Sequence, residues 1–225
     1  MYRHASAPHH LHRPTRIWDA ALKPRLPMRP DEPSDLLSDL LDCLFHPVGR
    51  FRRLIQRKPS WAAMPWLLWS LLTFIAIAGS LLYGASVGLV LPDGNPAFEA
   101  IAITLSAGAG WAVFAPVLLG ITRLPAPQLA HACLVAMLCG EAVLELGIII
   151  NLLLAWLAPP TATTALTINL IVVAISNIAM LSVLIAQLRV VKVHPFTVAA
   201  LWLVILNPAA LATFLHFYPG FLTPL

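Results

Sequence analysis

The sequence predicts an all-α, polytopic membrane protein: a five-helix transmembrane bundle, N-terminus in and C-terminus out, preceded by interfacial amphipathic helices. Three observations lead there. The chain is 59% apolar and 11% charged, against about 45 to 50% and about 25% in soluble domains, with a mean hydropathy of +0.82. Five apolar stretches follow residue 60, each near the roughly 20 residues that cross a bilayer. All fourteen Lys and Arg residues fit on one membrane face, which is the bias that sets orientation.

That bias is steep. Eleven bases (Arg3, Arg13, Arg16, Lys23, Arg25, Arg29, Arg50, Arg52, Arg53, Arg57 and Lys58) precede residue 61, and only Arg123, Arg189 and Lys192 follow it. The first part has a net charge of +5 against six acids, and the remainder −1. The basic part therefore suits anionic headgroups, and no nucleic acid partner is expected.

Residues 1–33 are rich in Pro, Arg and His and lack hydrophobic periodicity, so they read as a disordered cytoplasmic tail. His4, His9, His10 and His12 form a His-rich tract whose composition suits either solvent or a transition metal. Residues 34–60 read as amphipathic interfacial helices. Ser34 is a plausible N-cap for a helix with Leu36, Leu37, Leu40, Leu41 and Leu44 on one side and Asp35, Asp39 and Asp42 on the other. After Pro47, Val48, Phe51, Leu54 and Ile55 share a face surrounded by Arg50, Arg52, Arg53, Arg57 and Lys58, as in a helix lying among headgroups. Arg50, Phe51, Arg52, Arg53, Arg57 and Lys58 are the candidate lipid- or partner-contact residues. An ordinary juxtamembrane anchor explains them equally well.

Residues 61–225 form the transmembrane domain, with spans at about Trp66 to Leu91, Phe98 to Ile121, Leu129 to Leu157, Leu166 to Leu188 and Phe196 to Phe214. Trp61, Trp66 and Trp69 suit an interfacial aromatic belt. The short, Pro-bearing loops make successive helices antiparallel neighbours. No apolar run in the first 60 residues suits a signal peptide, so the first span is expected to be a retained anchor. The Ala, Leu, Pro and Arg bias points to a bacterial inner membrane.

Two acids fall inside this apolar domain. Glu141 and Glu145 lie four apart near the middle of the third span, on one side of the helix. A central charge costs about 2.5 to 3.5 kcal/mol, so insertion needs neighbouring helices or protonated carboxyls. Asn169, Ser176 and Gln187 share a stripe on the fourth span, with Asn177 about 100° away and Asn207 beside Pro208 on the fifth. Glu141, Glu145, Asn169 and Asn177 thus make a candidate intramembrane polar site, either a proton or cation site or neutral carboxyls bonded to amides across helices. Small residues line Ala136/Gly140/Gly147/Asn151, Ser80/Gly84/Gly88 and Ala102/Ser106/Gly110. These stripes serve packing or an oligomer contact.

No catalytic motif is present, neither G-x-S-x-G, nor H-E-x-x-H, nor a Gly-rich phosphate loop. Cys43, Cys133 and Cys139 have neither zinc-type nor disulfide-framework spacing. No catalytic residue, cofactor or metal is expected.

The run HPVGRFRRLIQRKPSW, a proline and a basic amphipathic stretch leading into a Trp-flanked first span, resembles the Yip (Ypt-interacting protein) domain family. The likeness extends over roughly Phe45 to Phe214 in its five closely spaced spans and N-in, C-out orientation. Leu82-Tyr83-Gly84 stands where eukaryotic members carry Asp-Leu-Tyr-Gly-Pro, which is closer to the bacterial branch. The resemblance implies a non-enzymatic scaffold or accessory protein that engages lipids or protein partners through the basic segment. The alternative from the residues themselves is a small proton- or cation-coupled carrier, or a subunit of one, using Glu141 and Glu145.

Overall fold

The computed structural model describes residues 36–56, 66–91, 93–157 and 160–218, all within one compact unit, Leu36–Leu225. The His-rich tract, Arg57, Lys58 and Trp61 lie outside the described residues. No strand occurs among the described residues, and five helices are long and apolar enough to cross a membrane. The chain is a multi-pass, all-α membrane protein.

Two short helices, α1 (Leu36–Phe45) and α2 (Pro47–Gln56), form a hairpin ahead of the spans. Pro47 starts α2, where its missing N–H is no loss. The spans are α3 (Trp66–Val90), α4 (Pro96–Thr122), α5 (Ala126–Leu157), α6 (Ala162–Leu188) and a composite fifth helix, Pro195–Phe217. The helices extend slightly beyond the apolar runs because polar caps precede them. Asn95 accepts from the Ala97 and Phe98 amides, Thr161 from Thr164 N and His194 from Phe196 N. Pro96 and Pro195 then occupy first-turn positions.

The fifth span is irregular. Between α7 (Pro195–Leu201) and α8 (Asn207–Phe217) lies a π-helical turn, Trp202–Leu206, in which the Asn207 amide donates to the Trp202 carbonyl. Pro208 next in sequence lacks an N–H and crowds the preceding turn, which widens. Gly110 of α4 sits against this turn, with the Leu206 carbonyl 3.0 Å from where a Cβ would stand.

The third span, α5, is central. It packs on the first and fourth spans, and the second lies between the first and the fifth. Accordingly, 44% of its apolar window is buried against 17% for the fifth span. The small-residue stripes are all used inside the bundle. Gly84 meets the Glu99–Ala100 backbone, Gly88 meets Pro96, Gly140 meets Met180, and Gly147 meets Val172 and Tyr83.

Antiparallel succession puts Arg123, Arg189 and Lys192 at the end of the bundle that carries the hairpin. Arg123 and Lys192 adopt left-handed conformations (φ 54° and 64°) at the C-caps of α4 and of a 3₁₀ turn, Arg189–Val191. Basic side chains suit such carbonyl-rich helix ends. The hairpin end also holds the largest core cluster. There Phe51 is fully buried with Phe114, Leu118, Leu129, Ala132, Leu184, Leu188 and Trp202.

Candidate functional site

The two glutamates, one turn apart on α5, have different surroundings. Glu141 is 5% exposed and points at the first span, where Ser80 Oγ donates to its Oε1 at 3.0 Å. A Cβ on Gly79 would stand 2.3 Å from Glu141 Oε2, so a larger residue there would require the carboxyl to move. Oε2 is buried with no hydrogen-bond partner among the described residues. Glu145 is exposed. A step of four residues turns the helix by about 40°, which carries the second carboxyl out of the helix interface.

The amides expected to satisfy these acids are engaged elsewhere. Asn169 accepts from the Tyr83 hydroxyl at 2.9 Å and from Asn151 Nδ2 at 2.9 Å, and its own Nδ2 donates to the Ala165 carbonyl. Asn151 also donates to Ser86 Oγ, which donates to the Tyr83 carbonyl. Tyr83, Ser86, Asn151 and Asn169 thus form one buried network joining the first, third and fourth spans. Asn151 lies ten residues beyond Glu141, or about 15 Å along the axis, so Asn169 does not reach the glutamates. Asn177 donates to the Val173 carbonyl of its own helix. Ser176 bonds the Gly140 carbonyl. Gln187 is fully buried near the hairpin end, with neither amide atom paired among the described residues. The structure therefore does not bring Glu141, Glu145, Asn169 and Asn177 together: Glu141 is buried against the first span, Glu145 is exposed, Asn169 belongs to the amide network and Asn177 bonds its own helix.

Sequence reasoning read Ser80 only as part of a packing stripe and gave Tyr83 and Ser86 no polar role. Their signal was positional: Ser80, Tyr83 and Ser86 fall within two turns on one span, and buried polar side chains in lipid need partners.

At the hairpin end, α1 and α2 face each other through paired charges. Asp39 binds Arg50, and Asp42 binds Arg53 at 2.5 Å, each across eleven residues. Asp39 is 6% exposed. The acidic side of α1 therefore faces inward, while Leu37, Leu41 and Phe45 are exposed at 60%, 45% and 68%. Cys43, on the inner side, packs with Leu68, Leu72, Val135 and Leu138, and burial pushes its thiol up to about 11. Phe51, expected on a contact surface, is a core residue, because the apolar face of α2 rests on the third and fourth spans. Among the described candidate contact residues, Arg52 and Arg53 are exposed, and Arg50 and Arg53 pair with the acids of α1. His131, fully buried in α5, lies within electrostatic reach of Arg50 and Asp39.

No group of three or more His, Cys, Asp or Glu placed to hold a metal occurs among the described residues. The groove on the bundle surface between α5 and α6 is lined by Val143, Leu146, Gly147, Ile168, Ile171 and Ile175, among others, all apolar or glycine. It offers a substrate no polar group. No known protein family, curated protein or solved structure matches this chain.

Proposed function

We propose that this chain is a non-enzymatic accessory or scaffold protein of a bacterial inner membrane, of the Yip-like type. Its hairpin end faces the cytoplasm, and the hairpin is its platform for lipids and partner proteins. The observation that carries this reading is the outward apolar ridge Leu37–Leu41–Phe45 on a hairpin that Phe51 anchors to the bundle and whose two helices are joined by two ion pairs. Cys43, opposite that ridge, packs on Leu72, six residues or about 9 Å into the first span. The ridge therefore lies at acyl-chain depth, with the exposed Arg52 suited to the anionic headgroups above it.

The test is spin-label accessibility at Phe45→Cys, in a chain whose three native cysteines are replaced by Ala, in anionic vesicles. Quenching by oxygen rather than by a water-soluble nickel chelate is the expected result; the reverse would remove the ridge from the lipid. One observation favours the carrier alternative: the buried, unpaired Oε2 of Glu141. Against it, Ser80 and Gly79 lie against that carboxyl, and no chain of hydrogen bonds among the described residues joins it to Asn151. Proton or cation flux in proteoliposomes that disappears in the Glu141→Gln, Glu145→Gln variant at unchanged abundance would replace the scaffold reading with the carrier.

A further inference from the structure

Glu145 faces outward from the bundle near mid-membrane. It lies about 5 Å from the midpoint of α5, and Ala142, Leu146, Ile149, Leu152 and Trp156 around it are exposed as well. Nearer the hairpin end the same flank of α5 is covered: Val135 and Leu138 are buried beneath Cys43 of α1. Cover ends two turns short of Glu145, which leaves its side chain in a surface otherwise made of lipid-facing apolar groups. Acids in that position are functional by default, and they pair.

The sequence restricts what the partner can be. Of the fourteen bases, none lies in the interior of a span; Arg123, Arg189 and Lys192 all sit at the hairpin end. A second copy of this chain would bring another acid to that depth and no base. Charge complementarity thus calls for a different protein. We propose that the exposed face around Glu145 docks a transmembrane helix of another membrane protein, one carrying a Lys or Arg near the bilayer centre. Ala142, one turn before Glu145 and also exposed, lets that helix approach closely. The proposal rests on the accessory reading and names the chemistry of its intramembrane partner.

The experiment uses the full chain, donor-labelled, in proteoliposomes with acceptor-labelled Leu-rich transmembrane peptides. One peptide carries a single central Lys, one carries Leu there, and two carry the Lys displaced by two turns in either direction. The central-Lys peptide is expected to bind at least tenfold tighter than the other three. Glu145→Gln and Glu145→Ala should abolish that preference and Glu141→Gln should retain it, with circular dichroism confirming that each variant is folded. Equal binding of all four peptides, or a preference that survives both Glu145 variants, would overturn the proposal. So would energy transfer between two labelled copies of the chain that is lost with Glu145→Gln, since it assigns the face to self-association. Glu145-dependent ion flux without a Lys preference would overturn both the docking and the accessory reading; flux alongside the preference would overturn only the latter.

Discussion

Replacing Gly84 by Ala tests how tightly the first and second spans are joined. A Cβ at this position would stand 2.6 Å from Ala100 Cα, 2.6 Å from the Glu99 carbonyl oxygen and 2.9 Å from Ala100 N. Ordinary carbon contacts lie near 3.5 to 4.0 Å, so the helices must part by roughly 1 Å. All three atoms are backbone, and no rotamer change relieves the clash. Nor does a pivot, because Gly88, one turn on, is equally confined: a Cβ built there would stand 2.6 Å from Pro96 Cα. Overpacking of this kind costs about 1 to 3 kcal/mol.

Gly108 and Gly120 are internal controls on the neighbouring helix, with nothing within 4 Å of an added Cβ. Alanine there removes only the conformational penalty of glycine and gains about 0.5 to 1 kcal/mol. Reversible unfolding by SDS in mixed micelles, followed by circular dichroism, separates the two classes. Gly84→Ala should lose about 2 kcal/mol, a factor of about 30 in the folded-to-unfolded ratio, while the controls hold or gain. A Gly84→Ala protein within about 0.5 kcal/mol of the parent, or a Gly108→Ala loss of equal size, would refute the reasoning.

A double-mutant cycle between Tyr83→Phe and Asn169→Leu should give a coupling of about 0.6 kcal/mol and not above about 1.7, the range for interhelical hydrogen bonds in lipid, measured by the same unfolding assay. Gly79→Ala should expel the Glu141 carboxyl and be rescued by Glu141→Ala in the double variant; failure of rescue would mean that the 2.3 Å approach is not what excludes a methyl group there. Cys43, with its thiol held up to about 11 against 9.0 when exposed, should alkylate about 100-fold more slowly than a free thiol at pH 8, and Phe51→Ala should raise that rate by releasing the hairpin. The folded state keeps the Cys43 proton longer than the unfolded state does, so the contribution of this thiol to docking of the hairpin is fully present below pH 9 and is lost as pH rises from 9 to 11. A hairpin-attached spin label whose mobility does not rise between pH 9 and 11 would contradict that sign.

The spans were legible because hydropathy, charge bias and short Pro-bearing loops all act locally along the chain. Their ends moved by a few residues, with Asn95 and Thr161 capping helices that start before the apolar run. The polar interior was less legible, since periodicity fixes a side chain's azimuth on its own helix but not which neighbour lies across from it. Asn169 was singled out as a partner for the glutamates; helix register sets it against Asn151 and Tyr83 instead. Phe51 was misplaced for a related reason. An apolar stripe on a basic helix suits lipid or protein equally, and only the packed structure places Phe51 among Leu118, Leu184 and Leu188. In α1 the preference is reversed, because the acids there have Arg50 and Arg53 to meet and the leucines do not all fit beneath.

That reversal bears on the one acid left outward. Leu138, buried against Cys43, and Glu145 are seven residues apart and so only about 20° from one another around α5. The flank of the third span that α1 covers near the hairpin is the flank that carries Glu145 above it. A helix seated on Glu145 would stand directly over α1, whose outer side is the Leu37–Leu41–Phe45 ridge. One side of the bundle thus carries both its exposed apolar helix and its lipid-facing acid, while the partnered carboxyl, Glu141, faces the first span. Removing the ridge by Leu37→Ser, Leu41→Ser and Phe45→Ser should therefore weaken a central-Lys helix at Glu145 as well. If docking were unaffected by that change, the two features would be independent neighbours on α5 and not parts of one contact surface.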